Sequence, residues 1–147
     1  MRNFPAVWLL TFACLGTTAM RAAELELRGW HTDVNTAWQT AQAQRRPLLV
    51  FVTRDNCLFC VKMKRGTLVD QRVARAIAAG YVPLVLDATQ PSPLATELDV
   101  KAFPALFVIS TQAVVLDRID GYVAADALSN RLTLLDRQAA RGGARSQ

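Results

Sequence analysis

Cys57 and Cys60, in the run Asn56-Cys57-Leu58-Phe59-Cys60-Val61, are the residues of this 147-residue sequence whose type and spacing most directly carry chemistry. Two thiols separated by two residues can serve reversible thiol–disulfide exchange, half of a zinc site, covalent haem attachment or a structural disulfide. Zinc takes four ligands, and the chain beyond residue 23 adds only His31 and carboxylates to the pair, so a metal role is disfavoured. Haem attachment uses C-x-x-C-H, and Val61 holds the histidine position. A structural disulfide stays open as a reading, although so short a loop removes little entropy from the unfolded chain. Exchange is favoured over it.

The elements around the pair suit exchange. Leu48 to Thr53 is a continuous apolar run rich in β-branched residues, the pattern of a strand covered on both faces. Arg54-Asp55-Asn56 is a polar turn, and Cys57 to about Arg65 reads as a helix closed by Gly66. Cys57 therefore opens a helix, where the macrodipole and free backbone N–H groups lower a thiol's pKa. Cys60 lies about one turn further, so its sulfur can reach that of Cys57.

Elsewhere, Asp33 caps a first predicted helix in which Val34, Ala37, Trp38 and Ala41 share a face. Asp70 to Ala79 predicts a helix with Val73, Ala74, Ile77 and Ala78 inward and Gly80 as terminator. Tyr81 to Asp87 is a strand in which Pro83 is tolerated only at a start, at a bulge, or where its missing N–H faces no neighbour. Leu94 to Leu98 gives a short helical turn. Ala105 to Ile109 and Ala113 to Arg118 form an antiparallel hairpin, and Ala124 to about Leu135 forms a last amphipathic helix. The order predicts an α/β sandwich on a mixed sheet.

The N-terminus is a targeting element. Arg2 followed by an apolar run from Phe4 to about Met20 has the layout of a secretory signal, with cleavage expected at residues 19–23. Left uncleaved, it would anchor the chain and give its only membrane contact. Phe12 disfavours lipidation at Cys14. Residues 24–137 then form one domain, and 138–147 read as a disordered tail. The net charge of +5 falls largely on the signal and tail, so no clustered basic face points to nucleic acid. A periplasmic or secreted location lets disulfides persist.

Strand, polar turn, C-x-x-C and helix, followed by Pro104 before a β-hairpin and a last helix, resemble the thioredoxin superfamily over roughly Trp30 to Leu135. The closest likeness is to exported members with a helix before the C-x-x-C strand. The resemblance implies a three-layer sandwich, a Cys57–Cys60 disulfide, Cys57 as attacking and Cys60 as resolving thiol, and Pro104 as a cis proline facing the disulfide. The Phe103 backbone would then pair with a substrate strand. No cofactor is implied. The implied partners are exported proteins bearing disulfides or thiols and an upstream redox partner.

Thioredoxins carry a buried Asp six residues before the first cysteine, where this chain has Phe51, and Pro83 stands for the accompanying strand Lys. Asn56 replaces the usual aromatic residue before the motif. Leu58-Phe59 lacks the histidine that strong oxidases of this fold often use, which favours reduction over oxidation. The rival reading is a binding module whose thiols are incidental. His31 and Tyr122 read as packing residues, and Lys62, Lys64 and Arg65 as a solvated helix face.

Overall fold

The computed structural model describes residues 27–144. The expected signal segment, with Cys14, lies outside the described residues. Among the described residues no helix is long and apolar enough to cross a membrane.

The chain forms α1 (Val34–Gln44), β1 (Leu48–Thr53), α2 (Leu58–Lys62), a π-helical turn (Met63–Thr67), α3 (Gln71–Gly80), β2 (Val82–Asp87), α4 (Pro93–Glu97), β3 (Ala105–Ile109), β4 (Val115–Asp120) and α5 (Ala125–Ala144). The sheet order is β2-β1-β3-β4. β1 pairs parallel with β2 and antiparallel with β3, and β3 pairs antiparallel with β4. This is the mixed sheet flanked by helices, with a helix ahead of the C-x-x-C strand.

β1 occupies the middle of the sheet because every one of its residues is apolar enough to be buried on either face. Leu48, Val50 and Val52 pack with Ala37 and Ala41 of α1 and Leu98 after α4. Leu49 and Phe51 point the other way and pack with Cys60, Met63, Val73, Ile77, Leu128 and Leu132 from the π turn and α2, α3 and α5. The alternation of a strand thus splits the core into two halves and gives the three layers. Pro83 is accommodated inside β2 because its carbonyl accepts from His31 N–H (2.9 Å), so its N side faces the outer edge rather than β1.

Several local expectations need correction. The helix that begins after Cys57 does not stop at Gly66: the Leu68 N–H reaches back to the Met63 carbonyl (2.9 Å), and buried Thr67 donates to the Val123 carbonyl (2.7 Å). This anchoring carries the helix through Gly66 as a wide turn. In α3, Val73 and Ile77 are buried, but Ala74 and Ala78 are exposed and Ala76 takes the inward side. Gly80 is the last helical residue, and its lack of a side chain makes room for α5, since a Cβ there would lie 2.9 Å from Asp136 Cγ. β4 starts at Val115, two residues late, because the Ser110 hydroxyl accepts from the Gln112 and Val114 N–H groups and Ala113 adopts φ 61°. The stretch read as a disordered tail from 138 is helical through Ala144; its Ala, Gln and Arg residues favour helix without any apolar stripe to signal it.

Candidate active site

The turn that delivers Cys57 is built by Asn56, at φ 55°, a left-handed conformation that Asn tolerates. The Asp55 N–H donates to Thr89 Oγ1 (2.9 Å), and the Thr89 hydroxyl and N–H donate to Asp87 Oδ1 (2.5 and 2.8 Å). This chain of bonds ties the turn to the loop after β2. Those bonds, the hydroxyl first, hold the Asp87 carboxyl below its ordinary range.

Cys57 is the N-cap of α2, with extended backbone (φ −104°, ψ 97°), and its Sγ accepts from the Cys60 N–H at 3.1 Å. That N–H is one of the first-turn donors a helix leaves unpaired. Cys57 and Cys60 are joined in a disulfide with Cα atoms 5.2 Å apart. Cys57 is half-buried, whereas Cys60 is only 1% exposed. An incoming group therefore meets the sulfur of Cys57, and Cys60 lies behind it. On reduction the same N–H would stabilise a thiolate on Cys57.

Phe51 is fully buried beneath the motif, in the core half that holds Cys60 and against which Cys57 packs. The Trp30 ring meets it edge-on at 6.4 Å. Its neighbours across the sheet are Val85 on β2 and Leu106 on β3, while Pro83 lies two residues along, opposite Leu49. The apolar partner beneath the pair is therefore Val85 rather than Pro83. No titratable side chain of β1 approaches the disulfide from below.

The Phe103–Pro104 bond is cis. Pro104 is buried, its carbonyl accepting from Gly121 N–H (2.8 Å), and half-buried Phe103 packs against both halves of the core. The Arg54 guanidinium stacks 4.8 Å from the Phe103 ring centroid. On α2, the Phe59 ring lies 6.2 Å from that of Tyr122, and Lys62 Nζ sits 4.4 Å over Tyr122. Tyr122 is thus an exposed neighbour of the motif helix rather than a core residue. Sequence reading missed Arg54 and the Phe59–Tyr122–Lys62 stack, because pairings between distant loops carry no periodic signal. His31 forms backbone bonds to β2.

Among the described residues no cluster of His, Cys, Asp and Glu is arranged to hold a metal ion. A cavity of about 830 Å³ lies at the outer edge of β2, lined by Trp30, His31, Ile77 and Tyr81, and touches neither cysteine. A shallower groove of about 530 Å³ runs from Phe103 between α4 and the loop after β2. The sulfur chemistry sits at the surface, not in the larger cavity.

Among solved structures, a thioredoxin from Thermus thermophilus is similar with a TM-score of 0.67 at 23% identity, covering 80% of this chain and 92% of that one. The oxidised C-terminal domain of DsbD from Neisseria meningitidis is similar at 0.60 and 22%, covering 71% and 97%. A disulphide isomerase from Xylella fastidiosa Temecula1 gives 0.58 and 15%, covering 69% and 87%. These likenesses establish the fold. No curated protein matches significantly. The sequence pattern of the family described as thioredoxin-like matches residues 29–110, more than half of the chain and the span that holds both cysteines and Pro104, and the chain belongs to that family.

Proposed function

We propose that this chain is an exported thiol–disulfide oxidoreductase that reduces disulfides in other exported proteins, with Cys57 attacking and Cys60 resolving. The observation that carries this reading is the pair itself: a half-buried sulfur at a helix start, holding the Cys60 N–H at 3.1 Å and bonded to a sulfur behind it. In the reduced enzyme the Cys57 thiolate attacks a substrate disulfide, forming a mixed disulfide and releasing one substrate thiolate. The Cys60 thiol then loses its proton and attacks Cys57 Sγ, which frees the second substrate thiolate and forms the Cys57–Cys60 disulfide. Two electrons pass to the substrate, and an upstream dithiol partner returns them. The electrons reside on sulfur throughout, so the reaction calls for no cofactor. With Phe51 below, the Cys60 proton goes to solvent or to the departing substrate thiolate.

Residues 1–23 act as the export signal in this reading, and the Phe103 backbone, ahead of Pro104, lies against the substrate strand. Leu58-Phe59 supports the reducing direction, since neither residue stabilises a thiolate electrostatically. The test is trapping in the native compartment. Cys60→Ser should accumulate mixed disulfides with exported proteins and Cys57→Ser should not; capture by neither variant would leave the binding-module reading in its place.

A further inference from the structure

We propose that Arg54 and Lys62 select the substrate, so that the preferred partner presents its disulfide in an extended segment with an apolar side chain next to the cysteine and Asp or Glu within two or three residues. The inference rests on the exchange reading above and names the substrate class for that site.

Leu58 and Phe59 are 77% and 53% exposed, two apolar side chains facing water beside the accessible sulfur. They are too exposed to be explained by the core, and with Tyr122 they make an apolar ledge that an adjacent side chain of a partner would cover. The cations of this face are placed unusually. Elsewhere Arg72, Lys101, Arg118 and Arg131 each pair with an aspartate. Arg54 and Lys62 instead rest on the rings of Phe103 and Tyr122, and among the described residues neither is in an ion pair. A ring face fixes a cation in place but leaves its charge available to an incoming carboxylate. Of the nearby acidic groups, Asp87 is already engaged by Thr89, and Asp55 lies in the same turn as Arg54. A second copy of this chain would bring the same two cations against themselves, so charge disfavours self-association through this face and favours an acidic partner.

The test uses the reduced full-length mature protein and three synthetic peptides, each carrying Leu beside a cysteine held in a mixed disulfide with thionitrobenzoate, and flanked by Glu, Gln or Lys. Release of thionitrobenzoate reports the rate. The Glu peptide should exceed the Lys peptide by about 3- to 10-fold in kcat/KM, with the ratio falling towards one as salt rises. Arg54→Gln with Lys62→Gln should collapse the ratio measured within that variant, and Arg54→Glu with Lys62→Glu should invert it. Both sites are on the surface, so folding is retained. Bis(2-hydroxyethyl) disulfide, which is uncharged, is the parallel substrate for the unaltered protein. Its reduction together with equal rates for the three peptides would overturn this proposal and leave the exchange reading standing; failure with every disulfide would overturn both. A ratio unchanged in the Gln variant, or a dimer that buries Leu58 and Phe59, would also overturn the assignment.

Discussion

Phe51→Asp places a carboxyl group where the structure holds a fully buried ring under Cys57 and Cys60. Two costs add. Removing the ring and its edge-on contact with Trp30 costs about 3–5 kcal/mol by analogy with other large-to-small core changes. A poorly satisfied buried carboxyl costs about 1–3 kcal/mol more. The sum approaches the whole stability of a small domain, about 5–15 kcal/mol, so Phe51→Asn and Phe51→Ala are needed beside it. The first carries a polar group without a charge, and the second carries the cavity alone.

The new carboxyl is desolvated, so its folded pKa rises above the unfolded value of about 3.9. A raised acid pKa means that the unfolded state gives up the proton first. Relative to Phe51→Asn, the Asp variant therefore loses stability as pH climbs from about 4 to the folded pKa, by up to about 1.4 kcal/mol per pH unit. Urea unfolding at several pH values reads this directly. The exchange rate should also gain a second titration, absent from the parent, whose profile should follow the thiols alone. A Phe51→Asp protein as stable as the parent, with both pH profiles unchanged, would refute the placement of Phe51 beneath the disulfide.

In the reduced protein, alkylation at mildly acidic pH should label Cys57 well ahead of Cys60, as half-buried and buried sulfurs require; equal rates, or Cys60 leading, would reverse the roles. Thr67→Val removes the hydroxyl that donates to Val123 O and leaves that carbonyl without its donor. It should lower the urea midpoint by an amount equivalent to about 1–3 kcal/mol with an unchanged slope, and no shift would show that this bond does not hold the π turn.

Residues with local causes were legible in the sequence. Asp33 and Asp70 cap α1 and α3 by accepting backbone N–H groups, a short-range bond that any Asp before an apolar periodic run can make. β1 was readable to its ends because a central strand needs an unbroken apolar run. The helix start at Cys57 followed from the strand and polar turn before it. The failures share a cause in tertiary contacts. Gly66 has the sequence look of a helix stop, yet Thr67 is held by Val123, a residue 56 positions away. Ala74, Ala76 and Ala78 are too small to mark a face, and α5 settles which is inward. Tyr122 reads as core by type, but it stacks on Phe59 and Lys62 at the surface. The Asp-to-Phe change at position 51 was visible as a departure, whereas its true partner across the sheet, Val85, required the register.

The central claim, that Cys57 and Cys60 form a pair that cycles, is tested most directly by equilibrating the protein with glutathione or dithiothreitol buffers and counting the fraction oxidised. A single two-electron transition near −270 mV, the value of about −270 mV that characterises thioredoxin, is the result expected of a reductase. A pair that stays oxidised until below about −300 mV would behave as a structural disulfide and contradict the account.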